Sequence, residues 1–113
     1  MKQSALETTL LYDYYGGMLT EKQRTCFDLY YNQDLSLGEI AEEAGISRQG
    51  VYDTIARAEA ALREMEAQLG CVGRSKLLRQ ACAALLSLSD ELRQEGRQEL
   101  AARVETAVNL IKE

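Results

Sequence analysis

Apolar residues recur every three or four positions along most of this chain, which predicts a protein built of helices. The longest run passes through Val51, Ile55, Ala58, Leu62, Met65 and Leu69. Neither Gly nor Pro interrupts that run, so we expect one continuous helix from about Ser47 to Gln68. Together with the runs before and after it, this pattern predicts five or six helices and no sheet.

Residues 36–58 carry the signals of two short helices joined by a tight turn. Ser36 and Glu39 have the spacing of a capping box, which starts a helix. Gly45 suits the end of that helix because glycine adopts positive φ without a Cβ penalty. Ser47 follows as the N-cap of the next helix. This order predicts a helix-turn-helix motif, whose second helix offers its first turns to a major groove.

Two helices are predicted before the motif. The first runs from Ser4 to about Tyr15, with an apolar stripe formed by Leu6, Leu10, Leu11 and Tyr14. The second starts at a capping box of Thr20 and Gln23 and continues to about Asn32. The tyrosines at 12, 14 and 15 either cover a core or form a stacking platform for bases.

The C-terminal part is expected to hold two further helices. Gly70 and Gly73 predict a break at Cys71-Val72, followed by a helix from about Arg74 to Gln94. Gly96 separates it from a last helix. We therefore predict an all-α fold: a helix-turn-helix domain at 1–70 with its motif at 36–58, and a helical extension at 71–113. The apolar surface of the extension, including Leu77, Leu78, Leu85, Leu86 and Leu88, exceeds what one neighbouring helix covers, so we expect a homodimer.

Composition changes this picture in two ways. The chain has 113 residues with 13 Lys and Arg against 18 Asp and Glu, so its net charge is −5 and it lacks the basic footprint of most nucleic-acid binders. It has no histidine and three widely spaced cysteines, which fits neither a zinc site nor a disulfide framework. We expect no enzyme, no cofactor and no metal. Unpaired thiols and the lack of a long apolar run or signal peptide predict a cytoplasmic protein.

The exposed positions of the second motif helix give the candidate nucleic-acid-binding residues: Ser47, Arg48, Gln49, Tyr52 and Arg57. Arginine and glutamine side chains suit base edges, and tyrosine suits a phosphate or a stacked base. Asp53 lies among them and repels phosphate. Residues 36–60 carry five acids against two arginines, which supplies little of the usual phosphate neutralisation.

A second candidate set lies further along the chain. Arg74, Lys76 and Arg79 are three bases without an intervening acid, expected near the start of a helix where the macrodipole adds positive potential. They form either an ordinary solvated face or a contact with phosphates.

The run at 19–31 that leads into Ser36 resembles the start of region four of sigma factors, in which three helices carry a helix-turn-helix in this order. The chain resembles the YlxM family of small bacterial helix-turn-helix proteins, closely over about the first 68 residues and in outline over the helical tail. The residues that carry the resemblance lie at 11–15, 19–23, 29–31, 36–43 and 47–53, most clearly Ser-Leu-Gly-Glu-Ile-Ala-Glu-Glu at 36–43. Thr54 stands where sigma-type readers have an apolar residue, and Tyr52-Asp53 replaces their usual polar or basic pair.

The resemblance implies a regulatory protein with a DNA-binding fold that takes part in the signal recognition particle pathway. Two interpretations remain open. In the first, the protein binds DNA or RNA through the Arg48 face. In the second, it is a helical adaptor for the GTPases or the RNA of the signal recognition particle and reads no DNA. Neither interpretation requires a membrane or a small-molecule substrate.

Overall fold

A computed structural model of the chain describes residues 5–112, which form six α-helices, one short 3-10 turn and no strand. The helices are α1 (Ala5–Tyr15), α2 (Glu21–Tyr31), α3 (Leu37–Ala44), α4 (Arg48–Leu69), α5 (Cys71–Gln94) and α6 (Gln98–Ile111). The turn is Gly16–Met18. The all-α prediction and the continuous α4 are therefore confirmed; the predicted start of α1 at Ser4 lies outside the described residues. None of the described helices is long and apolar enough to cross a membrane.

The chain divides into two compact units, an N-terminal unit that ends at Val72 and a C-terminal unit that begins at Gly73. In the N-terminal unit, α4 is the central element, against which α1, α2 and α3 all pack. One side of its core holds Leu11, Tyr15, Phe27, Ala58 and Leu62. The other side joins Cys26, Leu29, Ile40, Ala41, Val51 and Ile55. The two groups follow one another along a single face of α4, and burying the second group fixes α3 and α4 relative to each other.

The predicted apolar stripe of α1 is only half correct. Leu11 is buried and Leu10 packs against the core, but Leu6 is 86% exposed and Tyr14 is also exposed. Thr8 and Tyr15 are buried in their place. The polar Thr8 is tolerated inside because its hydroxyl is hydrogen-bonded to Tyr31. The tyrosines at 12 and 15 belong to the core, since the Tyr12 ring stacks on Phe27 with a centroid separation of 4.4 Å and Tyr15 is buried.

The predicted seam along α4 is buried only in part. Its first four members, from Val51 to Leu62, are fully buried, but Met65 is half-buried and Leu69 is 50% exposed. Glu59, which the sequence places among the acids near the motif, is buried inside and accepts a hydrogen bond from the Tyr31 hydroxyl. It therefore contributes little to the outer charge of α4.

The predicted break at Cys71-Val72 is also wrong, because α5 already begins at Cys71. Two side chains cap its first turn. The Tyr15 hydroxyl accepts a hydrogen bond from the Cys71 amide at 3.0 Å, and Glu66 Oε1 accepts one from the Val72 amide at 3.0 Å. Tyr15 in turn donates to Glu66 at 2.5 Å. Gly70, in the left-handed conformation, ends α4 immediately before α5 begins.

Candidate nucleic-acid interface

The helix-turn-helix motif is formed by α3 and α4, and three polar side chains fix its ends. The Ser36 hydroxyl accepts from the Glu39 amide at 3.1 Å, and Glu39 accepts from the Ser36 amide at 3.0 Å. These hydrogen bonds from Ser36 lower the pKa of the Glu39 carboxyl. Ser47 accepts from the Gly50 amide at 2.9 Å and starts α4. Both predicted caps are therefore confirmed, and they hold the first turn of each helix in place.

Gly45 makes the turn between the two helices. Its φ of 71° lies in the left-handed region, and its amide donates to the Ala41 carbonyl at 2.9 Å. Ile46 follows and packs against the core from a half-buried position. Thr54, the departure from the apolar pattern, is buried and donates its hydroxyl to the Gly50 carbonyl at 2.8 Å. A polar residue fits at this position because a backbone carbonyl of its own helix accepts the hydrogen bond of its hydroxyl group.

All five candidate residues of α4 are exposed: Ser47, Arg48, Gln49, Tyr52 and Arg57. Because residues four apart share a helix face, Gln49, Asp53 and Arg57 follow one another along the outer side. The Gln49 side-chain amide donates to Asp53 Oδ1 at 3.0 Å. That hydrogen bond orients the Gln49 side chain. It uses one donor of the amide group, whose carbonyl oxygen can still accept a hydrogen bond.

Arg48 lies beside α3 rather than on the outer line of α4. A methyl group placed on Gly38 would come within 3.1 Å of Arg48 Nε, so the guanidinium covers the bare backbone of Gly38. The two residues share a groove of about 510 Å³ with the Glu39 and Glu42 side chains. The one indication of this contact in the sequence is Gly38, a glycine in the first turn of a helix. Arg48 thus carries a positive charge across the gap between the two motif helices.

The second candidate set lies in the C-terminal unit. Arg74, Lys76 and Arg79 are exposed on α5. Because α5 begins at Cys71, only Arg74 falls in its first turn, and Lys76 and Arg79 lie beyond it. The macrodipole acts mainly within the first turn, so the expected gain in positive potential does not extend to Lys76 and Arg79.

Comparison with known proteins agrees with this geometry. Residues 2–104 match the model of the UPF0122 family, described as "helix-turn-helix protein, YlxM / p13 like". A UPF0122 protein of Thermoanaerobacter sp. strain X514 is 57% identical over 74 residues, which cover 66% of this chain and 63% of the relative. One from Acetivibrio thermocellus is 54% identical over 84 residues, 74% of this chain and 70% of the relative.

Similarity to a UPF0122 protein of Clostridium kluyveri extends further, at 37% identity over 106 residues that cover 94% of this chain and 96% of the relative. The chain covers less than two thirds of the length of the Thermoanaerobacter relatives. The family match nevertheless includes every helix of the motif and most of the C-terminal unit. The chain therefore belongs to the UPF0122 family of YlxM / p13-like helix-turn-helix proteins.

Proposed function

We propose that this protein is a regulatory nucleic-acid-binding protein whose contact surface is the exposed first half of α4. The observation that carries the proposal is the motif itself. Caps at Ser36 and Ser47 and the turn at Gly45 present the start of α4 on the surface, while its inner side chains are held in the core. In helix-turn-helix proteins this part of the second helix enters the major groove.

Within that surface we assign each residue a contact. Gln49 offers its amide to a base edge, and Arg48 reaches either a guanine or a phosphate at the side of the groove. Ser47 and Tyr52 offer hydroxyls to phosphate oxygens, and Arg57 lies one turn further along α4. For Arg48 this contact requires the guanidinium to leave the Gly38 backbone.

The charge of the surface limits the strength of this binding. Each phosphate neutralised adds about 0.9 to the slope of log K against log salt on duplex DNA. Two arginines in this half of α4 therefore predict a slope of only about 2 per protomer, far shallower than that of strongly basic readers. We expect weak non-specific binding, so selectivity depends on contacts with bases.

A duplex-binding assay at low salt tests the proposal. Arg48→Ala and Gln49→Ala should each weaken binding by about five- to tenfold or more, since a good base contact is worth about 1–3 kcal/mol. Both side chains lie outside the core, so the thermal unfolding of the variants should match that of the wild type. Arg63→Ala is the matched control, because Arg63 is an exposed arginine on the second half of α4.

Unchanged affinity in both variants would overturn the α4 assignment. Loss of binding on changing Arg74, Lys76 and Arg79 to alanine would then place the phosphate contact on α5. Equal binding of all variants to duplex DNA and to RNA would indicate charge-driven contact without a reading surface.

The acidic residues around the motif favour a second candidate function, a helical adaptor in the signal recognition particle pathway. Asp53 occupies the middle of the outer line of α4, and Glu39 and Glu42 line the groove beside Arg48. Carboxylates at these positions repel phosphates but suit basic groups of a protein partner. We propose the particle's GTPase as that partner, on the basis of family resemblance.

A pull-down that presents the GTPase, the particle RNA and random duplex DNA side by side separates the two candidates. Retention of the GTPase alone, lost on Asp53→Lys, would favour the adaptor. Retention of duplex DNA, lost on Arg48→Ala, would favour nucleic-acid binding through the first half of α4.

A further inference from the structure

The two helices of the C-terminal unit meet through small side chains. Ser89 and Ala101 are fully buried between α5 and α6, and the Ser89 hydroxyl donates to the Ala101 carbonyl at 3.4 Å. Cys82 and Val108 are the other buried residues of this unit. Arg93 and Glu105 form an ion pair at 2.5 Å beside this contact. Small residues let the helices approach closely, but they leave the larger apolar side chains outside the contact.

Those larger side chains form one continuous apolar face on the C-terminal unit. The face consists of Leu85, Leu88 and Leu92 of α5 and Leu100, Val104 and Ala107 of α6. A groove of about 380 Å³ joins Leu92 to the three residues of α6, which places the two stripes side by side, and Arg103 lines the same groove at the edge of the face. Leu88 is 44% exposed. Two antiparallel helices with one apolar face are half of a four-helix bundle.

A second, wider groove lies towards the start of α5, and its lining shares no residue with the first. With 24 residues against 14, α5 is longer than α6 by about 15 Å at a rise of about 1.5 Å per residue. Where α6 ends, a groove of about 640 Å³ opens between Leu78, Leu86 and Ile111. Arg79 and Lys112 lie at the same groove.

Charge is distributed unequally between the two ends of this hairpin. The segment from Cys71 to Ser89 contains Arg74, Lys76 and Arg79 and no acid, and Lys112 joins them at the wide groove. The opposite end, where α5 turns into α6, carries four acids against Arg97 and Arg103, besides the Arg93–Glu105 pair. The four acids are Asp90, Glu91, Glu95 and Glu99. One end is therefore basic and the other acidic.

From these features we infer that two copies of the chain pair through the apolar face in antiparallel order, forming a four-helix bundle of two α5–α6 hairpins. In this order the basic end of each hairpin lies beside the acidic end of its partner, and the wide groove receives apolar side chains of the second copy. A helix of uniform charge would complement only one end, whereas a second copy complements both. A two-fold axis satisfies this arrangement with one self-complementary surface. The inference is independent of nucleic-acid binding.

Sedimentation equilibrium of the full chain at micromolar concentration tests the pairing. The wild type should be a dimer, and Leu88→Glu should raise its dissociation constant by about tenfold or more, because a carboxylate would be buried in the apolar face. Leu110→Glu is the matched control: Leu110 is 77% exposed and lies beside Glu99 and Thr106 on the outer side of α6, in a groove that meets the apolar face only at Ala107 and Arg103. The control should remain dimeric, and circular dichroism should report unchanged helix content in both variants.

A wild type that stays monomeric would overturn the inference, as would a Leu88→Glu variant that dimerises as well as the wild type. Neither result depends on nucleic acid. A dimer that binds no duplex would support the pairing and overturn the proposed nucleic-acid binding by α4. A monomer that binds duplex would support the nucleic-acid binding and overturn the pairing.

Cysteine cross-linking tests the antiparallel order. Leu78→Cys and Leu92→Cys, each made in a Cys71→Ser background, should form a disulfide-linked dimer when mixed and little when each is oxidised alone. The Cys71→Ser protein without an added cysteine is the control. Efficient linking within each separate sample would indicate parallel helices and overturn the inferred order. A protein that is dimeric by sedimentation but forms no disulfide in either the mixed or the separate samples would also overturn it.

Discussion

The two units of this chain use apolar residues in opposite ways. In the N-terminal unit the largest apolar side chains are fully buried, among them Phe27, Ile40, Ile55 and Leu62. In the C-terminal unit the buried residues are Cys82, Ser89, Ala101 and Val108, while the leucines of α5 remain exposed or half-buried. The same apolar spacing therefore has two outcomes. In the first unit it builds a core that positions a motif, and in the second it leaves leucine side chains at the surface.

The ends of the helices differ in the same way. The helices α2, α3 and α4 each begin with a hydroxyl side chain that accepts a backbone amide, at Thr20, Ser36 and Ser47. The N-cap of α6 is Arg97, whose side chain makes no such hydrogen bond. Each cap contributes about 1 kcal/mol to stability. The motif-bearing unit is thus fixed locally as well as through its core.

Leu62→Ala should produce the largest change in stability. Leu62 is fully buried against α1 and α2, so its truncation should lower the free energy of unfolding by about 2–5 kcal/mol. Leu110→Ala, at an exposed position of α6, should change it by less than about 0.5 kcal/mol. Urea denaturation followed by circular dichroism measures both. Equal losses in the two variants would contradict the contrast between the units.

Ser36→Ala should produce a smaller loss, of about 1 kcal/mol, because it removes the capping box of α3. Arg97→Ala, the corresponding change at α6, should cost less than about 0.3 kcal/mol, since no capping hydrogen bond is lost there. The same denaturation experiment applies. A loss at Arg97 as large as that at Ser36 would mean that caps do not distinguish the units.

Alkaline pH should weaken the junction between α4 and α5. Burial, and then the hydrogen bond to Glu66, raise the pKa of Tyr15 from 10.0 to about 12. The folded state therefore holds the phenol proton more tightly than the unfolded state, and this contribution is complete below pH 10 and is lost as the pH rises towards 12. The stability advantage of the wild type over Tyr15→Phe should shrink across that range. A difference that stays constant with pH would contradict the assignment.

Features set by neighbouring residues were predictable from the sequence. The two capping boxes, the cap at Ser47 and the left-handed Gly45 follow from residues within three or four positions of each other. The continuous α4 follows from its spacing. Such features need no knowledge of the rest of the chain, which is why the helix-turn-helix motif was recognisable.

Features that depend on distant residues were not predictable. The start of α5 is capped in part by Tyr15, which lies 56 positions earlier in the chain. Glycine at 73 suggested a break there, but α4 already ends at Gly70, and the cap of α5 outweighs the low helix propensity of Gly73. The buried side of α1 depends on Tyr31, which satisfies Thr8. At the candidate site, exposure followed from the helix period, whereas the placement of Arg48 over Gly38 needed the packing of α3 on α4.

A nuclear magnetic resonance titration tests the proposed contact between nucleic acid and the first half of α4. Amide resonances of the ¹⁵N-labelled full chain would be followed while a short duplex is added at low salt. We predict shifts concentrated at residues 47–57, with residues 61–69 of the same helix unaffected. Shifts confined to residues 74–79 of α5, or no shifts at all, would contradict it.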